Sequence, residues 1–130
     1  MRRKYLDDIG CRDRWDEWEY GGDRGDRYKA QREEYGFDER ETFSLQETFY
    51  QWLYERLKMY REVGGMVVDL TFHKFEWKGG EKSQLEMIDL LIKELEWALV
   101  GKANIYDDGD CKRLIEIGEI WAIILPSMWW

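Results

Sequence analysis

Two short segments constrain this chain most: Ser44-Leu45-Gln46-Glu47 and Ser83-Gln84-Leu85-Glu86. In each, a Ser precedes a Glu by three positions, directly ahead of a periodic apolar run. The Ser hydroxyl can accept from the amide N–H three residues on, while the Glu carboxylate accepts from the Ser amide. Two orphan donors of a helix start are satisfied together, so each segment predicts a helix opening at the next residue. Behind the first come Leu45, Phe49, Trp52, Leu53, Leu57, Tyr60 and Val63, at spacings that place them on one stripe. Gln51, Glu55, Arg56, Lys58, Arg61 and Glu62 fall mostly on the solvated side. Behind the second, Leu85, Ile88, Leu91, Ile92, Leu95 and Leu99 share a face, with Asp89, Lys93, Glu94 and Glu96 mostly off it.

The connection between these helices is less determined. Gly64-Gly65 either ends the first helix or only weakens it, and Met66 to Leu70 fits helix or strand. Aromatic and β-branched residues from Leu70 to Trp77 favour an extended segment. Lys78-Gly79-Gly80-Glu81 then reads as a tight turn, because glycine adopts positive φ without a Cβ clash. A third helix carries Leu114, Ile117, Trp121, Ile124 and Leu125, widened by Ile120 and Ile123. Asp110 is the expected cap of that helix, and Pro126 ends or kinks it. The apolar ending Met128-Trp129-Trp130 is expected to fold back and seal the core, with a homodimer contact as the competing use. No coiled-coil heptad persists for three repeats. The expected fold is therefore mainly α: a compact bundle of three principal helices, with a short extended segment and turn before the second. Residues 1–40 form a charged, aromatic-studded N-terminal arm, and residues 41–130 the helical domain.

A chain of 130 residues fits one domain with a genuine core. Its net charge of −8 disfavours direct binding to nucleic acid or to an anionic membrane, since the phosphate interaction would be repulsive. The same charge suits a basic protein partner. No stretch reaches the roughly 18 apolar residues of a membrane span. The charged start, Met1-Arg2-Arg3-Lys4, does not read as a secretory leader. Cys11 and Cys111 have no metal-ligand spacing and read as reduced thiols.

Chemistry-bearing motifs are weak. His73 is the only histidine, and no nucleophile elbow, phosphate loop, dinucleotide fingerprint or paired-His metal motif occurs. Asp107, Asp108 and Asp110 cluster but lack the spacing of a calcium loop. The expectation is a non-enzyme without metal or cofactor. Two groups stand out for binding. His73 and Lys74 lie beside Phe72, Phe75 and Trp77, where a basic pair among aromatic rings could hold a stackable anion such as a nucleotide. In the arm, Trp15, Trp18 and Tyr28 are candidate aromatic anchors for a partner.

Four stretches carry a resemblance. Tyr35-Gly36-Phe37-Asp38-Glu39-Arg40-Glu41-Thr42, Trp52-Leu53-Tyr54-Glu55-Arg56-Leu57-Lys58-Met59-Tyr60, Val68-Asp69-Leu70-Thr71-Phe72-His73-Lys74-Phe75-Glu76 and the ending Trp121 to Trp130 resemble small phage and prophage proteins of gut Firmicutes. The resemblance covers residues 35–130 and carries over no functional residue. It implies a phage accessory protein acting in a host cytoplasm. The functional expectation is stoichiometric binding that inhibits a bacterial host defence component. The target would be a basic nucleic-acid-binding effector, reached by imitating the charge of DNA. The alternatives are sequestration of a nucleotide signal near His73, Lys74 and Trp77, or an assembly role in the phage.

Overall fold

The computed structural model describes residues 3–11, 22–101 and 103–129. It is mainly helical with one small sheet. The order is α1 (Lys4–Asp8), α2 (Gly22–Tyr35), a 3-10 turn (Glu39–Thr42), α3 (Leu45–Met59), a π-helical turn (Tyr60–Gly64), α4 (Gly65–Val67), β1 (Lys74–Trp77), β2 (Gly80–Ser83), α5 (Gln84–Leu99), α6 (Asp108–Ile124) and a closing 3-10 turn (Leu125–Ser127). The chain divides into two compact units, Met1–Leu53 and Tyr54–Trp130, with the boundary inside α3.

In the first unit, two described stretches of the charge-dense N-terminal region, Lys4–Asp8 and Gly22–Tyr35, are helical. Charge and glycine content hid α2, since only Tyr28 on it is buried. Leu6 of α1 and Cys11 are buried, and Cys11 Sγ lies 3.5 Å from Gln51 Nε2 of α3. Helix α3 starts at Leu45 as the sequence predicts. Its apolar residues do not share one fate, however. Leu53, Tyr54 and Leu57 are buried, whereas Leu45, Phe49 and Trp52 are exposed.

The second unit is built on α5. Ser83 Oγ accepts from the Glu86 amide and Glu86 Oε1 accepts from the Ser83 amide, both at 3.1 Å, so the predicted capping box is formed. Met87, Ile88, Leu91, Ile92 and Leu95 of α5 are buried, and Ile117, Ile120 and Ile124 of α6 are buried with them. Met87 joins the face that the sequence assigned to α5, while Leu85 and Leu99 are only half-buried. Polar contacts tie the periphery to this centre. Arg113 of α6 pairs with Glu94 and lies 4.0 Å over the Trp97 ring. Tyr54 Oη donates to Glu96 at 2.8 Å. Arg61 pairs with Asp89.

Local departures from the sequence reading have plain causes. Gly64 and Gly65 sit at φ −61° and −62°, in the helical region, so they do not end the helix. The chain widens into a π-turn instead and stops at Val68, whose backbone is extended. The hairpin turn has positive φ at Lys78 (50°) and Gly79 (77°), the two central residues of a primed two-residue turn. Gly80 begins β2 instead of turning, and β2 pairs antiparallel with β1 from Lys74↔Ser83 to Trp77↔Gly80. Asp107, not Asp110, caps α6: its carboxylate accepts from the Asp110 amide at 2.8 Å. Asp110 in turn accepts from the Asn104 amide at 2.9 Å. Leu125 and Ile123 are exposed although the pattern put them on the stripe. The expectation that the C-terminus seals the core meets the exposed ring of Trp129, 81% accessible.

Candidate functional site

Among the described residues of the first unit, the aromatic-rich face of α3 is partly exposed. At about 100° per residue, Leu45, Phe49 and Trp52 line one stripe of the helix. Their exposures are 67%, 40% and 45%, large for side chains of this kind. Phe49 and Trp52 stack with centroids 6.1 Å apart and planes 16° from parallel. Phe49 also tilts against Tyr50 at 6.3 Å. Rings held against one another in this way present a rigid apolar step at little side-chain entropy cost on binding.

Next to α2, the same unit contains a buried ionic cluster. The Asp38 carboxylate is fully buried. It accepts from the Arg40 amide at 2.9 Å, from Arg40 Nε at 3.0 Å, from Arg40 Nη2 at 2.8 Å and from Arg32 Nη1 at 2.7 Å. Burial pushes the Asp38 carboxyl up, but the bonds from Arg40 and Arg32 outweigh it and hold it down at about 2. The Arg40 guanidinium lies 4.9 Å from the Tyr28 ring centre. Gln31 closes the edge, accepting from the Glu39 amide at 2.9 Å and donating to Glu39 Oε1 at 3.2 Å. Every acceptor position of Asp38 is spent on a fixed donor. The cluster is built to join α2 to the turn before α3.

The sequence-selected residues distribute as follows. Trp15 and Trp18 lie outside the described residues. Tyr28 is 4% exposed and belongs to the ionic cluster. His73 and Lys74 are exposed, and Trp77 is half-buried. His73 meets the Phe72 ring edge-on at 5.4 Å. Alternation along β1 puts Lys74 and Glu76 on one face and Phe75 and Trp77 on the other. Lys74 and Trp77 therefore do not converge on one pocket. The cation beside Trp77 is Lys78, 5.7 Å from the ring, and Lys78 also pairs with Glu116 at 3.0 Å.

A cleft of about 400 Å³ lies elsewhere in the second unit, lined by the π-turn residues Arg61 and Glu62, by Met66, and by Val68, Asp69 and Leu70. Arg61 is committed to Asp89. Asp69 Oδ1 accepts from the Thr71 amide at 2.9 Å and from Thr71 Oγ1 at 2.5 Å, bonds that lower its carboxyl. The lining is thus acidic and apolar, a poor receptacle for an anion. No His, Cys, Asp and Glu grouping suited to a metal ion occurs among the described residues, and none of their helices is long and apolar enough to cross a membrane.

What sequence reasoning missed here is Phe49 and Trp52 as surface groups and Asp38 with Arg40 as interior ones. Only the exclusion of Phe49 and Trp52 from the Leu53–Leu57 side of the helix could have signalled the first. No protein-family model, curated protein or solved structure matches this chain.

Proposed function

We propose that the protein works by stoichiometric docking onto another protein, without turnover, and that the exposed stripe Leu45, Phe49 and Trp52 is its contact face. The observation that carries this reading is the stacked, outward-facing Phe49–Trp52 pair on a regular helix. Aromatic side chains are the groups most enriched among binding hot spots. In this reading helix α3 presents the contact face, and the net charge of −8 selects a basic target and speeds encounter with it. The resemblance to phage proteins directs the search to the bacterial host cytoplasm and to defence components that bind nucleic acid. There an acidic protein would occupy the basic surface that DNA or RNA normally covers.

The test is capture from host extract with the wild-type protein and with a Phe49→Ser/Trp52→Ser variant, followed by titration of the captured protein at increasing salt. The reading expects one basic host protein retained by the wild type, lost by the variant, and bound more weakly as salt rises. Equal capture by both proteins, or infection indifferent to the gene in every host tried, refutes it.

A further inference from the structure

We propose that the outer edge of β1 pairs with the same edge of a second copy of this chain, making a continuous four-stranded antiparallel sheet across a two-fold axis. This is independent of the docking face on α3.

The hydrogen-bonding direction of each residue in β1 is fixed by the hairpin. In a two-residue hairpin the flanking pair, Trp77 and Gly80, exchanges both bonds, and the pattern alternates from there. Phe75 therefore faces Lys82 through its backbone, and His73 follows the same parity: its carbonyl accepts from the Gln84 amide at 3.0 Å. The backbone groups of Lys74 and Glu76 then point away from β2. Among the described residues β1 pairs with β2 alone, and both Lys74 and Glu76 are exposed. On β2 the continuation of the edge is closed, since the Ser83 amide is bound by Glu86 and the chain turns into α5.

An edge of this kind can recruit any strand, but its sequence selects its own copy. Place Phe75 opposite Phe75 of a second chain, antiparallel. Lys74 then falls opposite Glu76, Glu76 opposite Lys74, and His73 opposite Trp77. This register brings together the backbone groups that point outward: the Lys74 and Glu76 pairs exchange both amide–carbonyl bonds, and Phe75 occupies the close, non-bonded position on the axis. Each cross-strand pair is favourable: two opposite-charge pairs on the exposed face, and ring against ring on the half-buried face. A shift by one residue puts the backbone groups out of phase, and a shift by two sets Lys74 against Lys74 or Glu76 against Glu76, so the charges select this register. The surface joined is small, so the association is weak and concentration-dependent.

Charge reversal tests this directly. Lys74→Glu makes the edge acidic at both positions and Glu76→Lys makes it basic at both. Each variant faces like charges across the axis. Sedimentation equilibrium over a micromolar concentration series should show a wild-type dimer, and each single variant should dissociate about tenfold more readily or worse. An equimolar mixture of the two single variants should dimerise again, because the acidic edge now meets a basic one. The double exchange Lys74→Glu/Glu76→Lys should dimerise like the wild type. Circular dichroism and melting temperature confirm that each variant is folded, and both positions are solvent-exposed. A wild-type protein that stays monomeric throughout, a dimer unaffected by the single reversals, or a mixture that fails to associate overturns the proposal.

Discussion

Replacing Asp38 by Asn should be the most damaging isosteric change in the first unit. The Asp38 side chain is fully buried, and the Arg40 side chain is 9% exposed. Asn keeps the shape but loses the charge, so the Arg40 guanidinium stays in the interior without an anion. Removing one member of a buried pair costs about 3–5 kcal/mol. Arg32 is 38% exposed and regains water, so the lower end, about 3 kcal/mol, is expected at neutral pH. A second measurement separates charge from packing. Asp38 has a carboxyl at about 2 in the folded chain against 3.8 ordinarily, a difference equivalent to roughly 2.4 kcal/mol. Because the folded value is the lower one, the unfolded chain binds the proton first. The contribution is complete above about pH 4 and fades as pH falls through about 2. The wild-type advantage over Asp38→Asn should therefore be flat from pH 7 to 4.5 and shrink toward pH 2. Amide hydrogen exchange along α2 reads this unit directly, without requiring that the two units unfold together. A variant within about 1 kcal/mol of wild type at pH 7, or a difference that does not shrink in acid, would refute the account of Asp38 as a buried counter-ion.

Other changes follow from the same geometry. Leu91→Ala removes a side chain with no exposed surface from the centre of α5 and should cost about 2–5 kcal/mol in urea unfolding. Ser83→Ala breaks the capping box and should cost about 1 kcal/mol, with the loss concentrated in the first turn of α5 by hydrogen exchange. Gly118→Ala should raise stability by up to about 1 kcal/mol, since Gly118 is exposed in the interior of α6 and an added Cβ meets nothing within 4 Å. Gly79→Ala should do the opposite by roughly 1 kcal/mol, because φ is +77° there, as a melting curve would show.

Helix α5 was legible because three signals coincide on it: a reciprocal cap at Ser83, a single apolar stripe, and a charged remainder. Its observed core, from Met87 to Leu95, is the middle of the stripe with Met87 added, while the stripe's ends, Leu85 and Leu99, are half-buried. Helix α2 was illegible for the inverse reason. Its residues Gly22 to Tyr35 carry two Asp–Arg pairs, each behind a glycine, four further charges and one buried ring, so periodicity has nothing to report. Strand β2 was lost because Gly80-Glu81-Lys82-Ser83 has no β-branched or aromatic residue. It is a strand only because the primed turn at Lys78-Gly79 returns the chain alongside β1. The Asp38–Arg40 pair could not be read either, as two charges two residues apart look the same in sequence whether solvated or buried.

The α3 stripe shows where a periodic pattern stops being informative. At about 100° per residue, Leu45, Phe49 and Trp52 centre on one direction, while Leu53, Leu57 and Tyr54 centre roughly 120° away. The helix carries two apolar faces that merge into one broad arc when read by spacing alone. Packing neighbours cover the second, leaving Leu53, Tyr54 and Leu57 between 1% and 2% exposed. The first is partly exposed, with Phe49 and Trp52 stacked against each other. Burying an aromatic ring fully is worth about 2 kcal/mol to folding, and at 40% and 45% exposure Phe49 and Trp52 leave part of that gain unused. A partly exposed apolar stripe of this kind is what the proposed docking reading rests on. The discriminating measurement is the double variant Phe49→Ser/Trp52→Ser. Its melting temperature should stay within a few degrees of wild type while target capture is lost. A large drop in melting temperature would show instead that these rings serve the fold, and the docking face would have to be sought elsewhere.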